Sequence, residues 1–74
     1  MSLYDLEPGC QGEVVDITAA GAIRQRLLDM GILPHTRIEV ARVAPAGGPV
    51  WIRMQGVQLA LRRHEAEAVL IARA

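Results

Sequence analysis

The stretch Gly21–Pro34 places the tightest limit on what this chain can fold into, because it alone reads as a helix. At about 100° per residue, Ile23, Leu27 and Met30 recur at i, i+4 and i+7 and form one narrow apolar stripe. Gln25 and Asp29 fall opposite. Gly21 is suited to the N-cap, and Gly31 to the left-handed residue just past the helix. Ile32 would then touch Leu27, the contact of a Schellman stop, and Pro34 closes the segment. Isolated helices shorter than about 12–15 residues are marginal, so this one must dock on other structure. Leu28 breaks the pattern, lying between Arg24 and Gln25 on the polar side. Either a second layer such as Leu3 or Leu6 covers it, or it faces a partner.

The rest of the chain alternates with a period of two and predicts short strands. Leu3 and Leu6 are candidate anchors before a Pro8-Gly9 turn. Gln11–Ala19 is a first strand, with Val15 and Ile17 on one face and Asp16 and Thr18 on the other. Thr36–Ala44 is a second, in which Val43 is out of phase with Ile38 and Val40; a bulge near Ala41–Arg42 restores the pattern. Ala44–Pro49 is a Pro/Gly loop. Val50, Ile52 and Met54 mark a third strand, and a tight Gln55-Gly56 turn leads to a fourth with Val57, Leu59 and Leu61 on one face. Arg62–Glu67 reads as a short turn or 3₁₀ segment, and Ala68–Ala72 as a closing strand. The predicted fold is mainly β: a small, strongly bent sheet closing into a five- to six-stranded barrel, with one short α-helix inserted after the first strand. Residues 1–74 read as a single domain without repeats.

Charge and composition remove several function classes. Formal net charge is zero, with eight arginines and no lysine, so there is no bulk attraction to nucleic acid or anionic membrane. Tyr4 and Trp51 are the only aromatics, too few for base-stacking platforms or an aromatic-lined groove for proline-rich peptides. No apolar run approaches the roughly 20 residues of a membrane span, and the first residues lack a signal-peptide pattern. The lone Cys10 fits a reducing compartment. A cytoplasmic chain without direct membrane insertion is expected.

Catalytic motifs are missing. Nothing in the sequence marks Cys10 as an activated nucleophile, and Gly47-Gly48 lacks the Lys-Ser/Thr and following helix of a phosphate loop. Cys10, His35, His64 and Glu67 are the candidate ligands for Fe²⁺ or Zn²⁺. They show no Cys-x-x-Cys or His-x₃-His spacing, so a solvated polar turn is the simpler reading of His64–Glu67, and a metal bridging two chains is easier than a full site in one. If Val50, Ile52 and Met54 point inward, Trp51 points outward, either covering an edge or anchoring a partner.

The order of these elements resembles a known family. Pro8-Gly9, a strand, Arg26-Leu27-Leu28-Asp29-Met30-Gly31-Ile32-Leu33-Pro34, then Ala44-Pro45-x-Gly47-x-Pro49 and Leu59-Ala60-Leu61-Arg62 closely resemble FeoA, ferrous iron transport protein A. The resemblance covers nearly the whole chain and implies an SH3-like barrel. It implies a cytosolic, non-enzymatic accessory of the ferrous iron transporter FeoB, whose cytosolic part binds GTP, with no cofactor required. On that reading Arg24 and Leu28, with Pro45 and Gly47 of the loop and Trp51, are the candidate partner surface. The alternative is a protein that binds or senses Fe²⁺ or Zn²⁺ itself. Two positions depart from the family pattern: His35 stands where glycine is usual after the helix-closing proline, and Gly48 where an acidic residue is common. An unusual backbone angle and a distinctive local role are therefore expected at His35. Oligomeric state is left open.

Overall fold

The computed structural model describes residues 1–73. After a 3₁₀ turn at Leu3–Asp5, five strands and two helices follow in the order β1 (Gln11–Ile17), α1 (Gly21–Asp29), β2 (Arg37–Val43), β3 (Val50–Met54), β4 (Val57–Leu61), α2 (Arg63–Glu67) and β5 (Val69–Arg73). All strand pairs are antiparallel, in the order β4-β3-β2-β1-β5. The sheet curls around one core, but β4 and β5 remain its two hydrogen-bonding edges.

Each strand contributes its inward positions to that core: Val14 and Ile17, Ile38 and Val40, Val50 and Ile52, Leu61, and Val69 and Ile71. Leu3 and Leu6 are buried as expected and tie the N-terminal turn to the same core. Met1 and Ser2 then run beside β5: the Ile71 N–H donates to the Met1 carbonyl (2.9 Å), and Ser2 forms an isolated bridge with Leu70.

The α1 stop has the expected form. Gly31 has φ of +89°. Its N–H donates to the Leu28 carbonyl (2.9 Å), and the Ile32 N–H donates to the Leu27 carbonyl (3.1 Å). Those two bonds define the Schellman motif, and Leu27 and Ile32 are both fully buried. Of the stripe, Leu27 carries the docking, while Ile23 and Met30 are only half-buried against the core. The start differs from expectation, because Ala20 is the N-cap and Gly21 the first helical residue.

The bulge in β2 lies where the phase of Val43 demanded it, with the β2–β3 register shifting between Val40 and Arg42. Gln55 (φ +53°) and Gly56 (φ +78°) form the tight turn between β3 and β4. The phase of β1 is a correction. Val14, not Val15, faces inward, and Val15 is 56% exposed. A second bulge between Val14 and Asp16 brings Ile17 back to the core. The Ile17 N–H then donates to Asp16 Oδ1 (2.8 Å), a bond made by the neighbouring side chain. On β4, only Leu61 is buried, Leu59 is half-buried and Val57 is exposed. Residues 63–67 form an α-helix, not a turn or 3₁₀ segment. It buries Glu65 and Ala66, a contribution to the core that a polar reading of this stretch had excluded.

Candidate functional site

Around Glu65 the structure joins parts of the chain far apart in sequence. In α2, Arg62 is the N-cap and Glu65 the third helical residue. Glu65 reaches back, and its Oε1 accepts the Arg62 N–H (2.8 Å), as the acidic residue of a capping box does. Its other oxygen, Oε2, lies 2.6 Å from Arg26 Nε on the last turn of α1. The carboxylate side chain is 4% exposed and the Arg26 side chain 57%, so a buried anion is met by a cation with one face in solvent. This bridge links α1 to α2, which itself packs against the Leu3–Asp5 turn and β5.

Beside it lies an open groove of about 430 Å³, lined by Arg26, Gly47, Pro49, Leu61, Arg62 and Arg63 among others. Leu61 and Pro49 make its wall apolar, and three arginines surround it. Arg63 is itself held: its guanidinium carbon is 5.0 Å from the centre of the Tyr4 ring, and its Nε is 3.3 Å from Glu67 Oε2. The backbone favours glycine at Gly47, and the Arg63 guanidinium lies close beside it. Its φ is +75°, and a Cβ would come within 3.1 Å of Arg63 Nη1. At Gly48 a Cβ would meet the Ala44 Cβ at 2.7 Å, which accounts locally for glycine where an acidic residue is common.

The residues selected from sequence do not all meet here. Gly47 lines the groove. Pro45 is exposed on the same loop. Arg24 is on another side of α1, where its Nη1 donates to the Ile17 carbonyl (2.9 Å) and ties the helix start to the end of β1. Leu28 is half-buried and packs against the core, so its place off the stripe has at least a partial structural cause. Trp51 points outward, half-buried, with the Arg42 guanidinium 4.1 Å from its ring centre. Arg26, Arg62, Arg63 and buried Glu65 were missed as a group. The available signal was the glutamate three residues after Arg62, the spacing of a helix N-terminus.

The candidate metal ligands are dispersed. His35 is exposed, its expected unusual backbone angle is a left-handed φ of +74°, and its Nδ1 is 3.2 Å from Glu13 Oε2. His64 is exposed on α2, and Glu67 is paired with Arg63. Cys10 is half-buried across the sheet, 4.0 Å from Arg73 Nη2. Among the described residues no three His, Cys, Asp or Glu side chains converge as a metal-binding group. No helix of the described residues is long and apolar enough to cross a membrane.

Comparison with known proteins agrees with this architecture. A fusion of Fe(2+) transport protein A with the Fe(2+) transporter FeoB, from Porphyromonas gingivalis, is 33% identical over 69 residues, covering 93% of this chain but 8% of that protein. The solution structure of FeoA from Chlorobium tepidum is 37% identical, with a TM-score of 0.86 over 96% of this chain and 68% of that one. FeoA of Stenotrophomonas maltophilia, solved with zinc and described as a prokaryotic SH3 domain protein, is 24% identical, with a TM-score of 0.85 over 97% of this chain and 89% of that one. This last likeness is one of fold, and the fold is the SH3-like one. The FeoA domain model matches residues 1–73. The chain belongs to the FeoA family, which is linked to ferrous iron transport.

Proposed function

We propose that this domain is a non-enzymatic accessory of ferrous iron uptake that docks on the cytosolic GTP-binding region of a FeoB-type transporter. One observation carries the reading: a relative exists in which this domain and FeoB are a single polypeptide. Covalent fusion gives two modules a high effective concentration, a benefit only if they work together. The surface carried forward from sequence is Leu28 with Arg24, the Pro45–Gly47 loop and Trp51. Leu28 and Trp51 are the partly exposed apolar side chains able to anchor an interface.

The test is titration of the purified domain against the cytosolic region of FeoB, with GTP analogue, GDP and no nucleotide. Saturable binding is expected in at least one state, weakened at least tenfold by Leu28→Asp or Trp51→Ser in protein whose circular dichroism is unchanged. No binding in any state would sink the reading.

A second reading draws on the zinc bound to the Stenotrophomonas FeoA. The His35–Glu13 pair offers two donors at 3.2 Å, and Fe²⁺ or Zn²⁺ held there would need further ligands from a second chain. Calorimetric titration with each metal, repeated on His35→Ala, tests it; heats that are absent or unaltered by the substitution would refute it.

A further inference from the structure

The two edges of the sheet are treated differently. On β5, Met1 and Ser2 cover the edge with a backbone hydrogen bond and a bridge. On β4 no such cover is found among the described residues, and β3 is its one strand partner. The register fixes which groups are free. Met54 and Val57 flank the two-residue turn and form the first hydrogen-bonded pair, so Ile52–Leu59 and Val50–Leu61 are bonded pairs too. Gln58 and Ala60 sit in the alternate, non-bonded pairs, and their N–H and C=O groups point away from β3. Both residues are exposed, and neither takes part in a turn or loop backbone bond.

Natural edge strands are usually blunted by charge, proline or a bulge. Val57-Gln58-Leu59-Ala60-Leu61 has no charge and no proline, and its register with β3 is regular. At its far end the edge runs into the groove ringed by Arg26, Arg62 and Arg63. Of these, Arg62 makes no side-chain hydrogen bond or ion pair among the described residues, and Arg26 keeps a solvent-facing side. Trp51, opposite Ala60, supplies an apolar wall on the outer face.

We infer that the β4 edge accepts an extended acidic segment of a partner protein as a sixth strand, with its carboxylates on Arg62 and Arg26. The inference rests on the reading of this domain as an interaction module and names the chemistry of its partner. Main-chain bonds to Gln58 and Ala60 supply the pairing, and the arginines select acidic over basic sequences. A second copy of this chain is the poorer occupant, because β4 has no acidic residue to place against Arg62.

The experiment uses the ¹⁵N-labelled chain with an eight-residue peptide of alternating Val and Glu, and a control with Lys in place of Glu. The acidic peptide should slow amide exchange at Gln58 and Ala60 at least fivefold, and the basic peptide should not. Ala60→Pro removes an outward N–H without touching the β3–β4 ladder and should abolish the protection. Arg62→Glu should weaken peptide binding at least tenfold, and it decides the matter if the proline variant does not fold. Equal protection by both peptides, or none, overturns the inference. So does protection that rises with protein concentration in the absence of peptide, which would assign the edge to a second copy. If FeoB binds wild type, Ala60→Pro and Arg62→Glu alike, the edge assignment fails and the accessory reading stands. If FeoB does not bind wild type while the peptide results hold, the reverse is true.

Discussion

Glu65→Gln should show that a buried carboxylate ties α2 to α1 and stabilises the fold. The substitution keeps shape and retains an oxygen for the Arg62 N–H bond of 2.8 Å. It removes the charge and turns an amide donor toward Arg26, itself a donor. A buried donor left unpaired costs about 1–3 kcal/mol. The partner softens the loss: at 57% exposure the Arg26 guanidinium returns to water instead of remaining as a stranded buried charge. A net cost of about 2 kcal/mol follows, or roughly 8–16 °C in Tm for a domain of this size. Arg26→Met, which keeps most of the stem, is the more revealing partner. It leaves the carboxylate buried without its cation, and breaking a buried pair this way costs about 3 kcal/mol or more. The pair Arg26→Met with Glu65→Leu removes both charges and should recover much of that loss. Urea denaturation of the wild type, Arg26→Met, Glu65→Leu and the double variant measures the coupling directly. Additive costs, with a coupling below about 0.3 kcal/mol, would show that the 2.6 Å contact contributes no specific stability.

Other substitutions test single positions. His35→Gly removes a left-handed strain of about 1–2 kcal/mol, sacrifices an exposed side-chain contact with Glu13 of small worth and adds unfolded-state freedom. A gain of about 0.5 kcal/mol in urea unfolding is the expected result, and a loss of that size refutes the strain. Gly12→Ala would place a Cβ 2.7 Å from Ile71 Cδ1 and 3.2 Å from the Ala72 carbonyl oxygen. A cost of about 1–3 kcal/mol should appear, partly rescued by Ile71→Val, which deletes Cδ1; absence of rescue would shift the blame to the backbone contact.

What could be read from the sequence was whatever the chain decides locally. The stop of α1 was legible because Gly31, Ile32 and Leu27 sit within one turn and satisfy each other's bonds. The bulge in β2 was legible because Val43 is a lone apolar residue in the wrong phase. The bulge in β1 was hidden because Val14 and Val15 are both apolar, so either phase gives an acceptable face, and pairing with β5 makes the choice. Residues 62–67 misled for the same reason in reverse. A five-residue helix is too short to show a period, and a glutamate is buried only when a distant cation makes that bearable.

The candidate site follows that rule more severely. Leu28 and Arg24 stood out because they break a local pattern, yet the structure gives each a share in holding the fold: Leu28 packs on the core, and Arg24 caps the end of β1. The groove depends on Arg26, Pro49, Leu61 and Arg62, which are unremarkable within their own segments and meet only when α1, the β2–β3 loop and the end of β4 come together. The bare edge of β4 is less visible still, because it consists of backbone groups that every sequence carries. Only the strand order, with β5 covered and β4 not, turns those ordinary groups into a place where a partner strand can add. A surface built from unpaired backbone and a few arginines puts little constraint on side chains along the strand itself. In this domain, pattern breaks in the sequence therefore point to the packing of α1 before they point to a partner.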